Sequence, residues 1–510
     1  MITQQSTYDT FRRKWDAGEP QVVFTRLVAD LETPVSAFLK LKGLSRQAFL
    51  LESVEGGAVR GRYSLIGLKP DLVWKVEEGR ALVNRHALAD PSGPFVPEAL
   101  PPLDSLRALL AEGRMHLDPD LPPMAAGLFG YMGYDMVRHI ERLPEPNPDP
   151  LGLPEALMIR PTIMAIFDAV RDEVIIVTPV WPGAAADART AWDTAQARLD
   201  EVINALGAPI DPALLQEAAG GLEIASPVSN TTPAEYHAMV RRAKDYIAAG
   251  DIFQVVLSQR FETAFPLPAF SLYRALRRIN PSPFLYFLDF GDFALTGSSP
   301  EILVRVRDGK VTIRPIAGTR PRGRTRDEDA ALERELLADP KERAEHLMLL
   351  DLGRNDVGRV ARIGTVRVTE RFVIERYSQV MHIVSNVEGE LDSGRFDAID
   401  ALMAGFPAGT VSGAPKVRAM EIIDELEKER RGPYAGCVGY FSATGEMDSC
   451  IVLRTAIVKD GRMYVQAGAG IVADSVPENE QAECENKAKA LFRAAEEATR
   501  FAGGQGRGRP

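Results

Sequence analysis

Acidic side chains recur at helical spacing near the carboxyl end of the chain. Glu480, Glu483 and Lys487 stand at positions i, i+3 and i+7, so a helix would carry them on one face. Glu345 lies in a second helix-like segment and is followed by His346. One or two carboxylates that leave room for water and substrate oxygens are the usual protein ligands of Mg²⁺. A solvated charged face would have the same spacing, so the spacing alone does not define a metal site.

Basic and glycine-rich segments could bind an anion. The segment RPIAGTRPRG, residues 314–323, combines guanidinium groups with proline and glycine, and Arg454 and Lys487 add positive charge. Arginine binds a carboxylate through two parallel hydrogen bonds, so these groups could neutralise a dicarboxylate. The GAG turn, residues 468–470, lacks the third glycine of a dinucleotide fingerprint. These glycines indicate either a plain tight turn or close approach of backbone N–H groups to an anion.

His382 is the histidine whose setting suggests two roles. It lies in the strand-like run YSQVMHIVS, residues 377–385. A histidine flanked by Met and Ile is more often a hydrogen-bonded core residue than a catalyst. Its ordinary pKa near neutrality would nevertheless suit proton transfer.

Helix caps and apolar periodicity predict the elements that position these groups. Thr232-Pro233-Ala234-Glu235 predicts a capped helix start, and Gly250 supplies the stop. The β-branched and aromatic run 252–261 predicts a strand directly afterwards. Asp339-Pro340-Lys341-Glu342 predicts a second capping box, ahead of the helix that carries Glu345. A third helix is predicted over 480–492.

The two halves of the chain differ in pattern. Residues 20–180 carry short apolar runs broken by Gly and Pro, which indicate a strand-rich domain. Residues 181–225 are predicted to form a connector with a surface helix, and 226–495 a second domain of mixed strands and helices. Residues 501–510 are predicted to be a disordered tail. Because strands and helices mix without βαβ regularity, the predicted fold class is α+β.

Long segments of the second half resemble, in order, the chorismate-binding enzyme family. The matching stretches, which cover about residues 226–495, are DIFQVVLSQRF, LTGSSPEILVRV, RPIAGTRPRGR, EHLMLLDLGRNDVGRV, YSQVMHIVSNVEGEL, FPAGTVSGAPKVRAMEII, GPYAGCVGYF, CIVLRTA and QAGAGIVADSVPENEQAECENKA. In the first half, LLESVEGGAVRGRYSLIG resembles the tryptophan-sensing segment of anthranilate synthase large subunits. The resemblance implies a large two-lobed, β-sandwich-like body with helices on the outside.

The resemblance also implies a substrate, a cofactor and residue roles. The substrate would be chorismate, which bears a ring carboxylate and an enolpyruvyl ether, and Mg²⁺ would bind at the ring carboxylate. Glu345 and Glu483 would be metal ligands, with Glu480 further out or acting through water. Glu301 would be the general acid for the C4 hydroxyl, His382 would assist proton movement near C2, and Thr410 would lie beside the ring. The substrate's carboxylates and enolpyruvyl group would be held by Gly318, Thr319, Tyr434, Arg454, Gly468, Ala469, Gly470 and Lys487.

Feedback inhibition is a further implication of the resemblance. Tryptophan would bind in the first domain, against a segment of the second. The residues expected around it are Leu51, Glu52, Ser53, Tyr63, Ser64, Pro283, Phe284 and Leu285. The family often has Met where Leu285 stands, so the contact at that position would differ.

Two positions favour one branch of the family. Relatives that add water place a lysine base where this chain has Gln254, and relatives that make aminodeoxychorismate carry a nucleophilic lysine where it has Ala317. The resemblance therefore implies that ammonia attacks C2 and that anthranilate is the product. The alternatives are an aminodeoxychorismate synthase large subunit and a tryptophan-binding regulator that has lost catalysis. Ala317 opposes the first, and retention of the glutamates, His382 and Arg454 opposes the second.

The ammonia is expected to come from a partner. Neither Cys450 nor Cys484 lies in the glycine-flanked elbow of a glutamine amidotransferase, and Cys437 does not either. A separate amidotransferase subunit, and hence a hetero-oligomer, is expected.

Composition excludes several other classes of function. The net charge of −11 over 510 residues opposes a nucleic-acid surface. No apolar run is long enough for a membrane span, and the first residues lack the pattern of a secretory signal. With three cysteines in so long a chain, a reducing cytoplasm is the expected compartment.

Overall fold

A computed structural model describes residues 2–55, 59–215, 223–377 and 380–502. Its strands pair antiparallel in every ladder of the described residues. The strands are β1 Ile2–Gln5, β2 Gln21–Val28, β3 Ala48–Glu55, β4 Val59–Glu77, β5 Arg80–Asn84, β6 Val96–Pro97, β7 Gly127–Met132, β8 Ala156–Asp168, β9 Glu173–Val180, β10 Val228–Ser229, β11 Gln254–Ala264, β12 Phe284–Asp289, β13 Phe293–Ser299, β14 Ile302–Arg307, β15 Lys310–Ile313, β16 Ile316–Pro321, β17 Arg367–Arg376, β18 Val380–Glu390, β19 Gly413–Ala414, β20 Cys437–Ser442, β21 Met447–Ile451, β22 Thr455–Lys459 and β23 Arg462–Ile471.

Helices cover the outside of these strands. They are α1 Tyr8–Asp16, α2 Pro34–Leu41, α3 Pro102–Glu112, α4 Ala188–Gly207, α5 Pro233–Ala249, α6 Ala269–Ile279, α7 Arg326–Ala338, α8 Pro340–Gly358, α9 Ala398–Gly405, α10 Lys416–Leu426 and α11 Pro477–Ala502. A short 3₁₀ turn, Gly409–Val411, precedes β19. No helix in the described ranges is both long and apolar enough to cross a lipid bilayer.

Strand pairing joins the two halves of the chain. Strand β3 lies between β4 and β12, with Glu52 opposite Ser64 on one side and Leu285 on the other. Strand β7 pairs in the same way with β20, where Gly130 faces Gly439. The ladder thus runs from residues 20–180 into 226–495, and the division into separate domains at those boundaries stays a prediction.

Aromatic side chains from both halves fill the central core. Phe129 stacks on Phe49 with ring centres 4.7 Å apart and lies 5.5 Å from Tyr440. A second core lies under α2, α4 and α6, and a third under α5, α9 and α10. Burial of these side chains between strands and outer helices supplies the main stabilising free energy. The mixed helical and antiparallel architecture confirms the predicted α+β class.

The predicted helix signals are largely confirmed. Thr232 and Glu235 form the reciprocal capping box of α5, and Gly250 ends that helix with φ 85°. Asp339 caps α8 by accepting hydrogen bonds from the N–H groups of Lys341 and Glu342. The prediction of a reciprocal box there is wrong, because the Glu342 carboxylate instead binds Arg320 at 3.0 Å.

The predicted connector contains helix α4. Its buried residues face the second core and are Ala188, Ala191, Ala195, Leu199 and Val202. Residues 216–222 of this segment lie outside the described residues. So does the greater part of the predicted tail, 503–510, whereas α11 extends to Ala502.

Candidate active site

A buried carboxyl group forms the centre of the site. Glu301 lies between β13 and β14 and is 7% exposed. The Thr410 hydroxyl, on the 3₁₀ turn, donates toward its two carboxyl oxygens at 3.2 and 3.3 Å. Burial raises the pKa of Glu301 to about 8, although the bond from Thr410 and the charge of Arg454 pull it down. Glu301 is therefore mainly protonated at neutral pH, so it can donate a proton.

Arg454 supplies positive charge beside this acid. It is half-buried and adopts the left-handed conformation, with φ 48°, between β21 and β22. Its carbonyl accepts a hydrogen bond from the N–H of Ser298 at 3.2 Å, which helps to fix this unusual turn. Burial lowers the pKa of Arg454, and the charge of Glu301 opposes that effect. Arginine remains charged in proteins, so the group suits an anionic substrate.

His382 is held as a neutral base. Its Nδ1 lies 3.1 Å from the carbonyl oxygen of Gly318 and 3.0 Å from the hydroxyl of Thr319. Because a carbonyl can only accept, Nδ1 carries the hydrogen and Nε2 keeps its lone pair. Burial lowers the pKa of His382 to about 4, so the ring is neutral at pH 7. Gly318 itself has φ 74°, a conformation that favours glycine.

Glu345 on α8 and Glu480 on α11 both lie within reach of the charge of Glu483. Burial raises the pKa of Glu345, and the charges of Glu342 and Glu483 raise it further. Burial likewise raises the pKa of Glu480, and the charge of Glu483 adds to the effect. Within the ranges that the structure describes, no three His, Cys, Asp or Glu side chains are grouped closely enough to hold a metal ion by themselves. The arrangement is an open, electrostatically repelling set rather than a closed cage.

Lys487 links these carboxylates to strand β23. Its Nζ lies 2.8 Å from Glu483 and donates to the carbonyl oxygen of Gly468 at 2.8 Å. A Cβ atom on Gly468 would come within 2.9 Å of the Tyr434 hydroxyl. Glycine at this position therefore lets the tyrosine approach the strand.

Strand β23 carries three of the predicted substrate-binding residues and pairs with β11. Gly468, Ala469 and Gly470 face Ser258, Leu257 and Val256 in register. Gln254, at the start of β11, is buried, and its Nε2 would lie 2.5 Å from a Cβ on Gly470. A side chain at Gly468 or Gly470 would therefore require Tyr434 or Gln254 to move.

Direct contacts link the predicted site residues in three separate groups. Glu301 contacts Thr410, His382 contacts Thr319, and Lys487 bridges Glu483 and Gly468. The assigned roles of these residues stay predictions.

A cavity of about 1420 Å³ lies beside this site. It is lined by seven of the eight predicted inhibitor residues, which are Leu51, Glu52, Ser53, Tyr63, Pro283, Phe284 and Leu285. Pro300 and Ile302, the neighbours of Glu301 in the chain, line the same cavity, as does Tyr377, whose ring lies 5.5 Å from that of His382. The cavity thus extends from the predicted inhibitor residues to the back of the catalytic segment.

Two predicted inhibitor residues differ from the rest in position. The Glu52 carboxylate turns away toward α6, where it binds Tyr273 and accepts from Arg277 at 2.7 and 2.9 Å. Ser64 is its register partner in β4 and does not line the cavity. The Ser53 hydroxyl, by contrast, donates to the carbonyl of Tyr63 at 3.3 Å on the cavity side.

The sequence analysis missed several residues of the site. Tyr377 packs against His382, and its hydroxyl donates to Glu375 at 2.7 Å. Arg431 and Glu427 form an ion pair beneath Thr410 and Tyr434. Their spacing of four residues gave no signal for this pair, because both residues lie beyond the end of α10 at Leu426.

Comparisons with known proteins identify the family of the chain. The family model of the chorismate binding enzymes matches residues 74–493. Anthranilate synthase component 1 of Cereibacter sphaeroides is 57% identical over 503 residues, which cover 99% of this chain and 100% of the relative. The crystal structure of anthranilate synthase component I from Streptococcus pneumoniae is 39% identical and superposes with a TM-score of 0.76, over 85% of this chain and 92% of that one.

A more distant structure shares the fold alone. The menaquinone-specific isochorismate synthase of Escherichia coli is 20% identical, with a TM-score of 0.70 over 96% of this chain and 98% of that one. The extent of the family match and the close, full-length relative leave one conclusion. The chain belongs to the family of chorismate binding enzymes.

Proposed function

We propose that the protein converts chorismate and ammonia to anthranilate and pyruvate, as the chorismate-binding component of an anthranilate synthase. The observation that carries the proposal is the presence of a neutral acid, Glu301, and a neutral base, His382, both within reach of the charge of Arg454. Aminating a ring that must lose hydroxide and later a proton requires both groups in these protonation states. The close relatives named anthranilate synthase component 1 support the same reaction.

In the first step, ammonia attacks C2 while the C4 hydroxyl leaves as water, and the ammonium group formed at C2 then returns a proton to the carboxylate of Glu301. Hydroxide is a poor leaving group, so the carboxylic acid of Glu301 delivers a proton as the C–O bond breaks. Its raised pKa keeps that proton available at neutral pH. Thr410 orients the carboxyl group by its hydrogen bond, and Arg454 holds substrate charge close to it.

In the second step, the ring becomes aromatic as pyruvate leaves. The Nε2 lone pair of His382 accepts the proton from C2, and the electron pair of that C–H bond forms the ring double bond. The enolpyruvyl C–O bond breaks with its electron pair on oxygen, and the released enolate takes a proton on its methylene carbon, from the His382 imidazolium or from water, to give pyruvate. The bond from Nδ1 to the Gly318 carbonyl keeps the ring in the required tautomer.

The acidic set fits Mg²⁺. Glu345 and Glu483 would hold the ion, with Glu480 further out. Their mutual repulsion and hard oxygen donors suit a divalent cation that completes its shell with water and a substrate carboxylate. When bound, the ion would draw electron density through the ring carboxylate and stabilise negative charge there. Lys487 balances part of the carboxylate charge.

Two buried positions support ammonia as the nucleophile. Gln254 offers a neutral amide next to Gly470, and a neutral amide cannot activate water as a lysine amine could. Ala317, in β16, is buried and carries no nucleophilic nitrogen. Free ammonia is therefore the group that reaches C2.

The cysteines support an external source of that ammonia. Burial raises the pKa of Cys437 to about 12 and that of Cys484 to about 11, and the pKa of Cys450 is also raised. A thiol is a nucleophile only as the thiolate, so none of these groups suits glutamine hydrolysis. A glutamine amidotransferase partner in a hetero-oligomer is accordingly part of the proposal.

Tryptophan is the proposed feedback inhibitor, bound in the cavity beside the site. Leu51 and Phe284 offer apolar surface there, and Ser53 a hydroxyl. Binding would favour a less active conformation, because a ligand shifts an equilibrium only by its differential affinity for the two states.

The test is a fluorescence assay with purified protein, chorismate, ammonium chloride and MgCl₂. Anthranilate fluorescence that depends on all three reagents is the expected result. Consumption of chorismate without anthranilate would instead point to the aminodeoxychorismate branch. A chain that binds tryptophan but leaves chorismate intact would be a regulator.

A further inference from the structure

Part of the edge of β11 that faces away from β23 is bonded by side chains and by the carbonyl of Ser412, which accepts from the N–H of Val256 at 2.9 Å. One edge of β11 pairs with β23 along its whole length. The other edge pairs with β19 at Gln254 and Val255 and with β10 at Phe261 and Glu262. Between these ladders, the Arg431 guanidinium donates to the carbonyl of Val256 at 2.7 Å.

Glu427 binds the same edge of β11 at Ser258, two residues after Val256. Its Oε1 accepts hydrogen bonds from the N–H and the hydroxyl of Ser258, both at 2.8 Å. Arg431 in turn donates to Glu427 at 2.6 and 2.9 Å, and both side chains are almost fully buried. The buried ion pair and the edge of β11 thus provide hydrogen-bond partners for each other's polar groups.

The same guanidinium reaches the turn that carries Thr410. Its Nη1 donates to the carbonyl of Val411 at 2.7 Å. The ring of Tyr434 lies 5.5 Å from the guanidinium on another side. One planar group therefore contacts strand β11 opposite Gly470, the turn beside Glu301, and the tyrosine beside Gly468.

We propose that Arg431, held by Glu427, is a positioning residue that fixes Thr410 against Glu301 through the carbonyl of Val411. The inference rests on the proposed function. A buried ion pair adds little stability over apolar side chains of similar volume, so stability alone does not account for it. A guanidinium, in contrast, holds two carbonyls and a carboxylate in one plane, which neither a lysine nor an apolar side chain can reproduce.

The test compares Arg431→Lys with Arg138→Lys. Arg138 lies nearby and binds Asp135 and Asp424, but it makes no hydrogen bond with β11 or with the Thr410 turn. Arg431→Lys should lower kcat/KM for chorismate by roughly 10²-fold, the cost of a displaced catalytic group. Arg138→Lys should leave it unchanged. Equal effects of the two changes on kcat/KM would overturn the proposal.

A second readout separates positioning from general loss of stability. Arg431→Lys should lower kcat by a smaller factor in a Thr410→Val variant than in the parent chain. The reason is that part of its effect depends on the position of the Thr410 hydroxyl, which the variant lacks. An equal fold-loss in both backgrounds would refute that route. Should Arg431→Lys fail to fold, Ser258→Ala is the alternative variant. It removes the hydrogen bond from the Ser258 hydroxyl to Glu427 without changing any charge. A several-fold fall in kcat/KM would then support the proposal, and an unchanged value would oppose it.

Hydrogen–deuterium exchange tests the positioning role of Arg431 independently of the proposed anthranilate synthase activity. Amides of residues 409–412 should exchange faster in Arg431→Lys than in the parent or Arg138→Lys, without any substrate present. If the parent chain made no anthranilate, the proposed function would fail while this measurement still tested the contact. Unchanged exchange would show that Arg431 does not hold the turn.

Discussion

The hydroxyl of Thr410 lies 3.2 Å from one carboxyl oxygen of Glu301 and 3.3 Å from the other. This bond stabilises the carboxylate, yet burial dominates and leaves the pKa near 8. Burial thus keeps the Glu301 carboxyl group protonated, and the hydrogen bond from Thr410 fixes its orientation. That balance leads to the first two predictions.

Glu301→Gln should abolish most turnover and spare binding. The amide has the same shape but no acidic proton, so kcat should fall by roughly 10²–10⁴-fold. Chorismate KM should change little, because Arg454 and the glycine strand remain. Asp289→Asn is the matched control, since burial also raises the pKa of that carboxyl group, at the far end of β12. A Glu301→Gln variant with near-normal kcat would remove Glu301 from the mechanism.

The same carboxyl group should make stability depend on pH. Its pKa is about 8 when folded and near the ordinary value of 4.5 when unfolded, so between these pH values the folded chain binds more protons. The free energy of unfolding therefore decreases as pH rises from 4.5 to 8. Glu301→Gln should lack this decrease and gain on the order of 2–3 kcal/mol over the parent near pH 7. Urea unfolding at pH 5 and pH 7 measures the difference, and a pH-independent difference would contradict the burial argument.

Glu345→Gln or Glu483→Gln should each remove Mg²⁺-dependent turnover without unfolding the chain, because neither side chain is part of the core. Glu480→Gln should weaken binding by about 10–100-fold, as loss of an outer group does. Titration calorimetry with Mg²⁺ gives a readout independent of activity. Glu485→Gln, on another face of α11, is the control. Normal Mg²⁺ affinity in Glu345→Gln or Glu483→Gln would exclude the altered residue as a ligand.

Ser53→Phe should fill the cavity and abolish tryptophan inhibition while catalysis persists. Gly61→Ala tests the same place from the neighbouring strand, because a Cβ there would lie 1.9 Å from the Ser53 hydroxyl oxygen. It should weaken inhibition by displacing Ser53. Tryptophan titrations of anthranilate formation measure both effects. Unchanged inhibition in Ser53→Phe would place the inhibitor elsewhere.

The isolated chain should use ammonium salts and not glutamine. At fixed total ammonium, the rate should rise with pH as free ammonia increases. It should level off near pH 8, where Glu301 begins to lose its proton. Adding the cognate amidotransferase should restore glutamine use near neutral pH. Glutamine-dependent turnover by the purified chain alone would show that one of its cysteines is catalytic after all.

Local features of the site were predictable from the sequence, because they depend on spacing. The cap of α5 at Thr232 and the shared face of Glu483 and Lys487 follow from helix geometry, and both are present. Alternation along β3 likewise places Ser53 and Glu52 on opposite faces of the strand. Which face borders the cavity was not predictable, because Arg277, the partner of Glu52, lies 225 residues away.

Protonation states were the other part that the sequence could not supply. His382 between Met and Ile indicated either a core residue or a catalyst. Its burial and its hydrogen bond to Gly318 fit the description of a core residue, and its catalytic role stays a prediction. The raised pKa of Glu301 depends on burial by the packing around it, which outweighs the opposing effect of the hydrogen bond from Thr410, 109 residues away. Such values follow from the tertiary environment, which no local pattern encodes.

The segment Pro300-Glu301-Ile302 has its two outer residues at the large cavity, while Glu301 is the proposed catalytic acid. If this segment couples the cavity to the proposed catalytic site, one coupling free energy describes the effect in both directions. If a molecule in the cavity weakens chorismate binding by some factor, chorismate must weaken that molecule's binding by the same factor. The potency of such an inhibitor would then fall as chorismate accumulates, even though the two never compete for the same space.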